Sequence, residues 1–274
     1  MTTITTSEPL HGRWWLVHVP TTLAALALKA QYSHATVADL AWVLRPTAAV
    51  VGWLRRQPLH LDGDRGWMAP GASFIIAPPC AGVNFLIVVF VISALGFAHR
   101  FRSVRQQWSW LLLVAGVAYG LTIAVNSLRI VAAVALYRAE IHGAWLTPER
   151  VHRLAGTMIY LAGLWVAWMV LDRVSATLAA QSRESQVQRD WFSRAVLVPG
   201  AYIGMTVALP LLNGAWWQFG TRYLEHAITV SLLAVSTLLL LSLIGWVTCW
   251  PTATGDHANE QADDSGGRRR AGNC

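Results

Sequence analysis

The sequence predicts an all-α membrane protein: a polytopic bundle of about six transmembrane helices, with an interfacial amphipathic helix and a small extracytoplasmic hairpin ahead of Cys80. Apolar residues make up 55% of the 274 residues and charged residues only 13%, whereas soluble domains carry about 25% charge. Many of the fifteen Trp residues lie at the ends of apolar runs, as in interfacial aromatic belts. These observations make the lipid bilayer the first expected partner.

Six apolar runs are long enough to cross a hydrocarbon core of about 30 Å at about 1.5 Å per residue. They are predicted at about 14–30, 80–98, 108–137, 154–171, 195–212 and 227–247. The first run is short and interrupted by Pro20. Because a clean cleavage signal is missing, it is interpreted as an uncleaved anchor.

Segment 36–54 is ambiguous between a seventh span and a helix lying at the membrane interface. Asp39, Arg45 and Pro46 are costly in hydrocarbon. Apolar residues recur at helical spacing, at Leu40, Val43, Leu44, Thr47, Val50, Val51 and Leu54. This periodicity favours the amphipathic interfacial helix, and the spanning alternative stays open.

Two further local structures are predicted from turn and cap signals. Asp62-Gly63, flanked by short extended runs, indicates a small hairpin within residues 55–78. Thr147-Pro148-Glu149 is typical of a helix start, with Thr as the N-cap and Pro in the first position.

The predicted domains are a cytoplasmic tail (1–13), a membrane domain (14–171), a cytoplasmic loop (172–193), a two-helix membrane extension (194–248) and a disordered cytoplasmic tail (249–274). The loop at 99–107 holds three Arg and no acidic residue. The positive-inside rule assigns such loops to the cytoplasm. Both termini are therefore expected inside, in a multi-pass protein of the cytoplasmic (inner) membrane.

Several classes of function are disfavoured. The net charge of +7 comes mainly from Arg in short connections, and no soluble basic domain with interleaved aromatic residues suggests nucleic-acid binding. The three cysteines, Cys80, Cys249 and Cys274, show no zinc spacing and no disulfide framework. No metal or cofactor is predicted, and the oligomeric state is left open.

Cys80 follows two prolines and precedes an apolar run. Proline is favoured in the first turn of a helix, so Cys80 is expected close to a helix N-terminus. Unpaired N–H groups and the helix dipole favour an anion there, which for cysteine means the thiolate. The alternative is that Cys80 is a small buried hydrophobe, as most free cysteines are.

The predicted topology brings Arg129 and His152 to the same membrane depth as Cys80. Arg129 lies about 30 Å along its span from the cytoplasmic end, and His152 opens the next span. Considered alone, Arg129 is explained equally well as a snorkelling interfacial residue. Considered alone, His152 is explained as an exposed residue at a helix start. Together, a thiolate nucleophile, an imidazole acid/base and a guanidinium that stabilises negative charge form a coherent set.

Three neighbouring residues are candidate supports for this set. Glu149 precedes His152 by three positions and is placed to orient the imidazole. Asn84 follows Cys80 by one turn, and Asn126 precedes Arg129 by three positions. Both amides are candidate hydrogen-bond donors.

Four motifs carry a resemblance to a known family. They are Cys80-Ala-Gly-Val-Asn84, Asn126-Ser-Leu-Arg129-Ile-Val, His152-Arg-Leu-Ala-Gly and the upstream Leu44-Arg-Pro-Thr-Ala-Ala-Val-Val. In order and spacing they resemble the exosortase/archaeosortase family over about residues 35–170, and among its subgroups the exosortase K type is the most similar. The first span and the last two spans carry no part of the resemblance.

The resemblance implies a membrane-embedded cysteine protease or transpeptidase. Its substrates would be exported proteins that end in a sorting signal: a short motif such as Pro-Glu-Pro, a transmembrane helix and a basic tail. Cys80 would be the nucleophile, His152 the general acid/base and Arg129 the group that activates the thiolate or stabilises the oxyanion. The recognition motif stays open, as does the acceptor of the thioacyl group.

Two rival functions predict other features. A transporter or channel would have polar residues at the bilayer midplane, broken helices or an internal repeat, whereas the strong polar groups here lie at helix ends. A non-catalytic assembly factor for envelope or exopolysaccharide export would make the joint placement of Cys80, Arg129 and His152 a coincidence.

Overall fold

The computed structural model of the chain describes residues 15–101, 103–139, 147–180, 200, 202–208, 211 and 220–248, of which 82% are helical. The α-helices are α1 (Trp15–Ser33), α2 (Ala41–Arg55), α3 (Val83–Phe97), α4 (Val104–Arg138), α5 (Pro148–Ala180) and α6 (Thr221–Thr248). Short 3₁₀ turns cover Pro70–Ala72, Pro78–Cys80 and Ala98–Arg100, and Gly204–Ala208 forms a π-helical turn. The predicted tails, with Cys249 and Cys274, lie outside the described residues.

Three helical segments among the described residues are long and apolar enough to cross a membrane. They are Pro78–Arg100, which is α3 with its flanking 3₁₀ turns, Val104–Arg138 and Pro148–Ala179. They correspond to the second, third and fourth predicted spans. The first and sixth predicted spans fall on α1 and α6, and half of the fifth lies outside the described residues. The count of six spans therefore stays a prediction.

The ambiguous segment 36–54 forms an amphipathic helix, α2. Five of its side chains are buried, Val43, Leu44, Thr47, Ala48 and Val51, and α2 packs against α4. Asp39 lies in the turn before α2, where its carboxylate accepts hydrogen bonds from the N–H and the hydroxyl of Thr36. The 15 residues of α2 rise about 22 Å, which is short of a membrane crossing.

A small antiparallel sheet lies between α2 and Cys80. Strands β1 (His60–Asp62) and β2 (Gly66–Met68) form the predicted hairpin, with Asp62 opposite Gly66. A third strand, β3 (Ile75–Ile76), which the sequence did not predict, pairs with β2. Gly66 is required at this contact, because a Cβ there would lie 2.2 Å from the carbonyl oxygen of Ile76.

Helices α3, α4 and α5 alternate in direction. Near the start of α4, Trp110 Nε1 donates a hydrogen bond of 3.1 Å to the carbonyl oxygen of Ser93 near the end of α3. Near the start of α3, the ring of Phe85 stacks on that of Tyr160 in the first half of α5, with centroids 4.8 Å apart. The starts of α3 and α5 and the end of α4 therefore meet at one end of the bundle.

The opposite end is held by a buried arginine. Arg100, whose side chain is 4% exposed, donates to the carboxylate of Asp172 and to the hydroxyl of Ser175 on α5. Its guanidinium also lies over the Phe97 ring, 4.7 Å from the centroid. The prediction of a loop over 172–193 is therefore wrong for residues 172–180, which belong to α5. Asp172 in this part of α5 pairs with Arg100 inside the bundle.

Removing the Asp172 carboxylate would leave the Arg100 charge buried with fewer partners. We expect Asp172→Ala to lower the free energy of unfolding by about 3 kcal/mol, measured by thermal unfolding in detergent. Arg173→Ala, at the exposed next position, is the matched control, with an expected change within about 0.5 kcal/mol. Equal changes in the two variants would show that the pair does not stabilise the bundle.

Candidate functional site

Cys80 lies in the 3₁₀ turn Pro78–Cys80, just ahead of α3, and is partly exposed. Its N–H donates to the carbonyl oxygen of Ala77 at 2.8 Å. The α-helix itself begins at Val83, not at Cys80 as the sequence suggested. The reason is Gly82, whose φ of 77° is left-handed and interrupts the helical path.

The structure brings Cys80, Arg129 and His152 to one groove of about 410 Å³. The three residues come from separate elements: the turn before α3, the last third of α4 and the first turns of α5. His152 is exposed and Arg129 is half-buried. A thiol, a guanidinium and an imidazole therefore border the same space at one end of the bundle.

Asn126 connects two of these residues. Its side chain is fully buried, at 0% exposure. Its Nδ2 donates to the carbonyl oxygen of Cys80 at 2.6 Å. Its Oδ1 accepts from Arg129 Nε at 3.2 Å and from the Tyr160 hydroxyl at 2.8 Å. Both ends of the amide are therefore used, which fixes the cysteine turn relative to Arg129.

Arg129 is held by a second contact besides the Asn126 bond. Its guanidinium lies over the ring of Tyr160, 5.1 Å from the centroid, an arrangement that is electrostatically favourable. Gly156 of α5 faces the same side chain, since a Cβ there would lie 3.4 Å from Arg129 Cδ.

Asn84 contacts α1. Its Oδ1 accepts a hydrogen bond of 2.8 Å from Lys29 Nζ, and its role as a donor to the site stays a prediction. Nearby, the Tyr32 hydroxyl contacts the carbonyl oxygen of Pro79 at 3.5 Å. The end of α1 thus holds the turn that carries Cys80.

Glu149 lines the groove with His152, but its described ion pair is with Arg153, one turn along α5, at 3.9 Å. This (i, i+4) pairing does not supply the expected orientation of the imidazole by Glu149. The predicted start of the helix is confirmed: α5 begins at Pro148, and the Thr147 hydroxyl accepts a hydrogen bond from the N–H of Arg150 at 3.3 Å.

Sequence reasoning missed Lys29, Tyr32 and Tyr160. Lys29 carried a usable signal, because a cation at the end of an apolar run needs a partner or a wet cavity. Tyr160 carried none, since a tyrosine in an apolar helix is indistinguishable in sequence from an interfacial aromatic residue.

Within the described part of the chain, no group of three or more His, Cys, Asp or Glu residues is arranged to hold a metal ion. The described residues therefore define a helical protein in which three segments are long and apolar enough to span a membrane and a groove is bordered by Cys, Arg and His. In comparisons with known proteins, no family model matches this sequence. No curated protein and no solved structure matches it either.

The contact between Gly82 and Asn126 predicts a sensitive position. A Cβ on Gly82 would lie 3.0 Å from Asn126 Cγ, at a left-handed φ, so we expect Gly82→Ala to lower the free energy of unfolding by about 1–3 kcal/mol. Thermal unfolding in detergent measures this. Gly116→Ala in α4, where the added methyl would meet nothing within 4 Å, is expected to be neutral or slightly stabilising. Equal destabilisation by both variants would contradict the proposed packing of the cysteine turn.

Proposed function

We propose that this protein is a membrane-embedded cysteine peptidase or transpeptidase. It cleaves the C-terminal sorting signals of exported proteins at the outer face of the cytoplasmic membrane. The observation that carries the proposal is that Cys80, Arg129 and His152 line one groove although 72 positions separate the first from the last in the chain. These side chains supply the nucleophile, the charge-stabilising group and the proton donor that acyl transfer requires. The similarity to the exosortase/archaeosortase motifs supports the same reaction.

In the first half of the proposed reaction, Cys80 Sγ attacks the carbonyl carbon of the scissile peptide bond. An S–C bond forms, and the carbonyl π electrons move to oxygen, where Arg129 stabilises the negative charge. When the tetrahedral intermediate collapses, the C–N bond breaks and His152 gives a proton to the leaving amine. The products are a thioester on Cys80 and the released C-terminal fragment.

In the second half, an amine, a hydroxyl or water attacks the thioester carbonyl. His152, now neutral, accepts the proton of the incoming nucleophile, and the C–S bond breaks to regenerate the Cys80 thiolate. An amine or hydroxyl acceptor makes the reaction a transpeptidation or ester formation, and water makes it hydrolysis. The residues of the groove serve all three acceptors in the same way.

The charge distribution supports an outward-facing groove. Cys80 and Arg100 mark the two ends of the 23-residue segment Pro78–Arg100, about 30 Å apart along a helix. The basic connection at 99–107 therefore lies at the end opposite the groove. Basic connections face the cytoplasm, so the groove faces outward, where an exported substrate held by its own transmembrane helix is accessible.

A membrane-impermeant maleimide added to intact cells tests the thiol and its orientation together. We expect selective labelling of Cys80, absent in Cys80→Ala, with Cys249 and Cys274 labelled only after the membrane is permeabilised. Labelling of Cys80 only after permeabilisation would overturn the orientation and, with it, the proposed function.

A further inference from the structure

One wall of the groove is the edge of a strand. The wall consists of Phe74, Ile75 and Ile76, which run into and through β3, together with Ser73 in the bend before them. Neighbouring side chains of a strand point to opposite faces, so an extended segment whose consecutive residues all border a groove presents its backbone edge. Strand β2 pairs with β3 in a sheet whose order is β1-β2-β3, which leaves the other edge of β3 as the one that borders the groove.

The facing wall is an apolar stripe of α4. Its lining residues recur at helical spacing: Ile130, Ala133, Val134 and Tyr137. The stripe follows directly after Arg129 and continues away from the middle of the bundle, toward the end of α4. The wall accepts uncharged side chains, because a charge placed against it would lose its solvation without gaining a partner.

The groove, of about 410 Å³, has room for a short peptide segment beside Cys80. Ile76 is four positions from Cys80 in the chain, at most about 13 Å in extended backbone, so such a segment runs past the thiol.

From this arrangement we infer that the groove binds the cleavage segment of the substrate as an added strand. A short, extended peptide pairs through its backbone with the edge of β3 and packs its uncharged side chains on the stripe of α4, with its scissile carbonyl at Cys80. The inference rests on the proposed function, which it deepens by describing the cleavage segment of the substrate as an extended peptide with uncharged side chains. Strand addition uses backbone hydrogen bonds for affinity and alternate side chains for selectivity.

The test uses purified full-length protein in detergent and three alkylating probes. The first is a tetrapeptidyl chloromethyl ketone, acetyl-Val-Ala-Val-Ala, in which the Cys80 sulfur displaces chloride from the methylene carbon. The second is a simple chloromethyl ketone without the peptide, and the third is iodoacetamide. We expect the peptidyl probe to alkylate Cys80 faster than a simple chloromethyl ketone by about tenfold or more, equivalent to about 1.4 kcal/mol of binding.

Ala133→Phe fills the groove and should remove this advantage while the rate with iodoacetamide stays unchanged. Ala135→Phe is the matched control, because Ala135 is exposed on the same helix and does not line the groove. A second series leaves the protein unchanged and methylates one amide nitrogen of the peptide at a time. Strand pairing predicts a loss of rate at every second amide.

Three results would overturn the inference. The first is a peptidyl probe that shows no rate advantage, as expected if another segment of the chain covers the strand edge. The second is an equal loss of that advantage in the two Phe variants, and the third is a methylated series without alternating rates. These outcomes are distinct from a failure of the proposed function. If the proposed function failed, Cys80→Ala would still process exported proteins that carry a C-terminal sorting signal, whatever the probes show.

Discussion

Cys80→Ser and Cys80→Ala are expected to reduce substrate processing by at least about a thousandfold, since loss of the nucleophile removes the covalent pathway altogether. Serine keeps the size of the side chain, but its hydroxyl is far less acidic than a thiol. The anionic form that attacks is therefore far scarcer for serine than for cysteine. The measurement is the size shift of an exported reporter that carries a motif, a transmembrane helix and a basic tail, compared between membranes with equal amounts of each variant.

Cys249→Ser serves as the control, because Cys249 follows the last predicted span and has no assigned role. It should process the reporter at the rate of the unaltered protein. Full processing by Cys80→Ser would contradict the assignment of the nucleophile. Loss of processing in both variants would indicate a general effect of removing a cysteine.

Arg129→Ala is expected to lower processing by about a hundredfold or more, because it removes the positive charge that faces the developing oxyanion. Arg129→Lys should recover only part of this. Lysine keeps the charge but loses both the Nε bond to Asn126, 3.2 Å in length, and the planar group over Tyr160, so the charge is held less firmly. The same reporter assay measures both variants.

Arg138→Ala provides the comparison within α4, since Arg138 is the exposed last residue of that helix. It should leave processing unchanged. Membrane insertion and thermal unfolding of Arg129→Ala decide between two roles for Arg129. Intact insertion with lost processing supports a catalytic role, whereas parallel losses of insertion, stability and processing would identify a structural one.

The parts of the fold that follow from local pattern could be predicted. Hydropathy and length gave the three helical segments around α3, α4 and α5, and the Asp62-Gly63 turn gave the hairpin. The convergence of Cys80, Arg129 and His152 was also predictable, because a helix rises a fixed distance per residue. The depth of a residue in a bundle of alternating helices can therefore be predicted from its position in the chain.

The features that depend on tertiary partners were not predictable. Strand β3 has only two residues, and pairing with β2 is what makes it a strand. The sequence predicts Asp172 in a loop, because its partner Arg100 lies 72 positions away in the chain. Likewise, the hydrogen bond from Lys29 to Asn84 Oδ1 was not predictable, because Lys29 lies 55 positions away on another helix.

The thioacyl intermediate offers the most direct test of the central claim, that Cys80 forms a covalent bond with its substrate. The purified protein is mixed with the reporter and quenched in acid, and the fragment that contains Cys80 is weighed by mass spectrometry with and without hydroxylamine. We expect this fragment to carry the N-terminal part of the reporter as a thioester that hydroxylamine releases. A cleaved reporter with Cys80 unmodified at every time point, and cleaved at the same rate by Cys80→Ala, would contradict it.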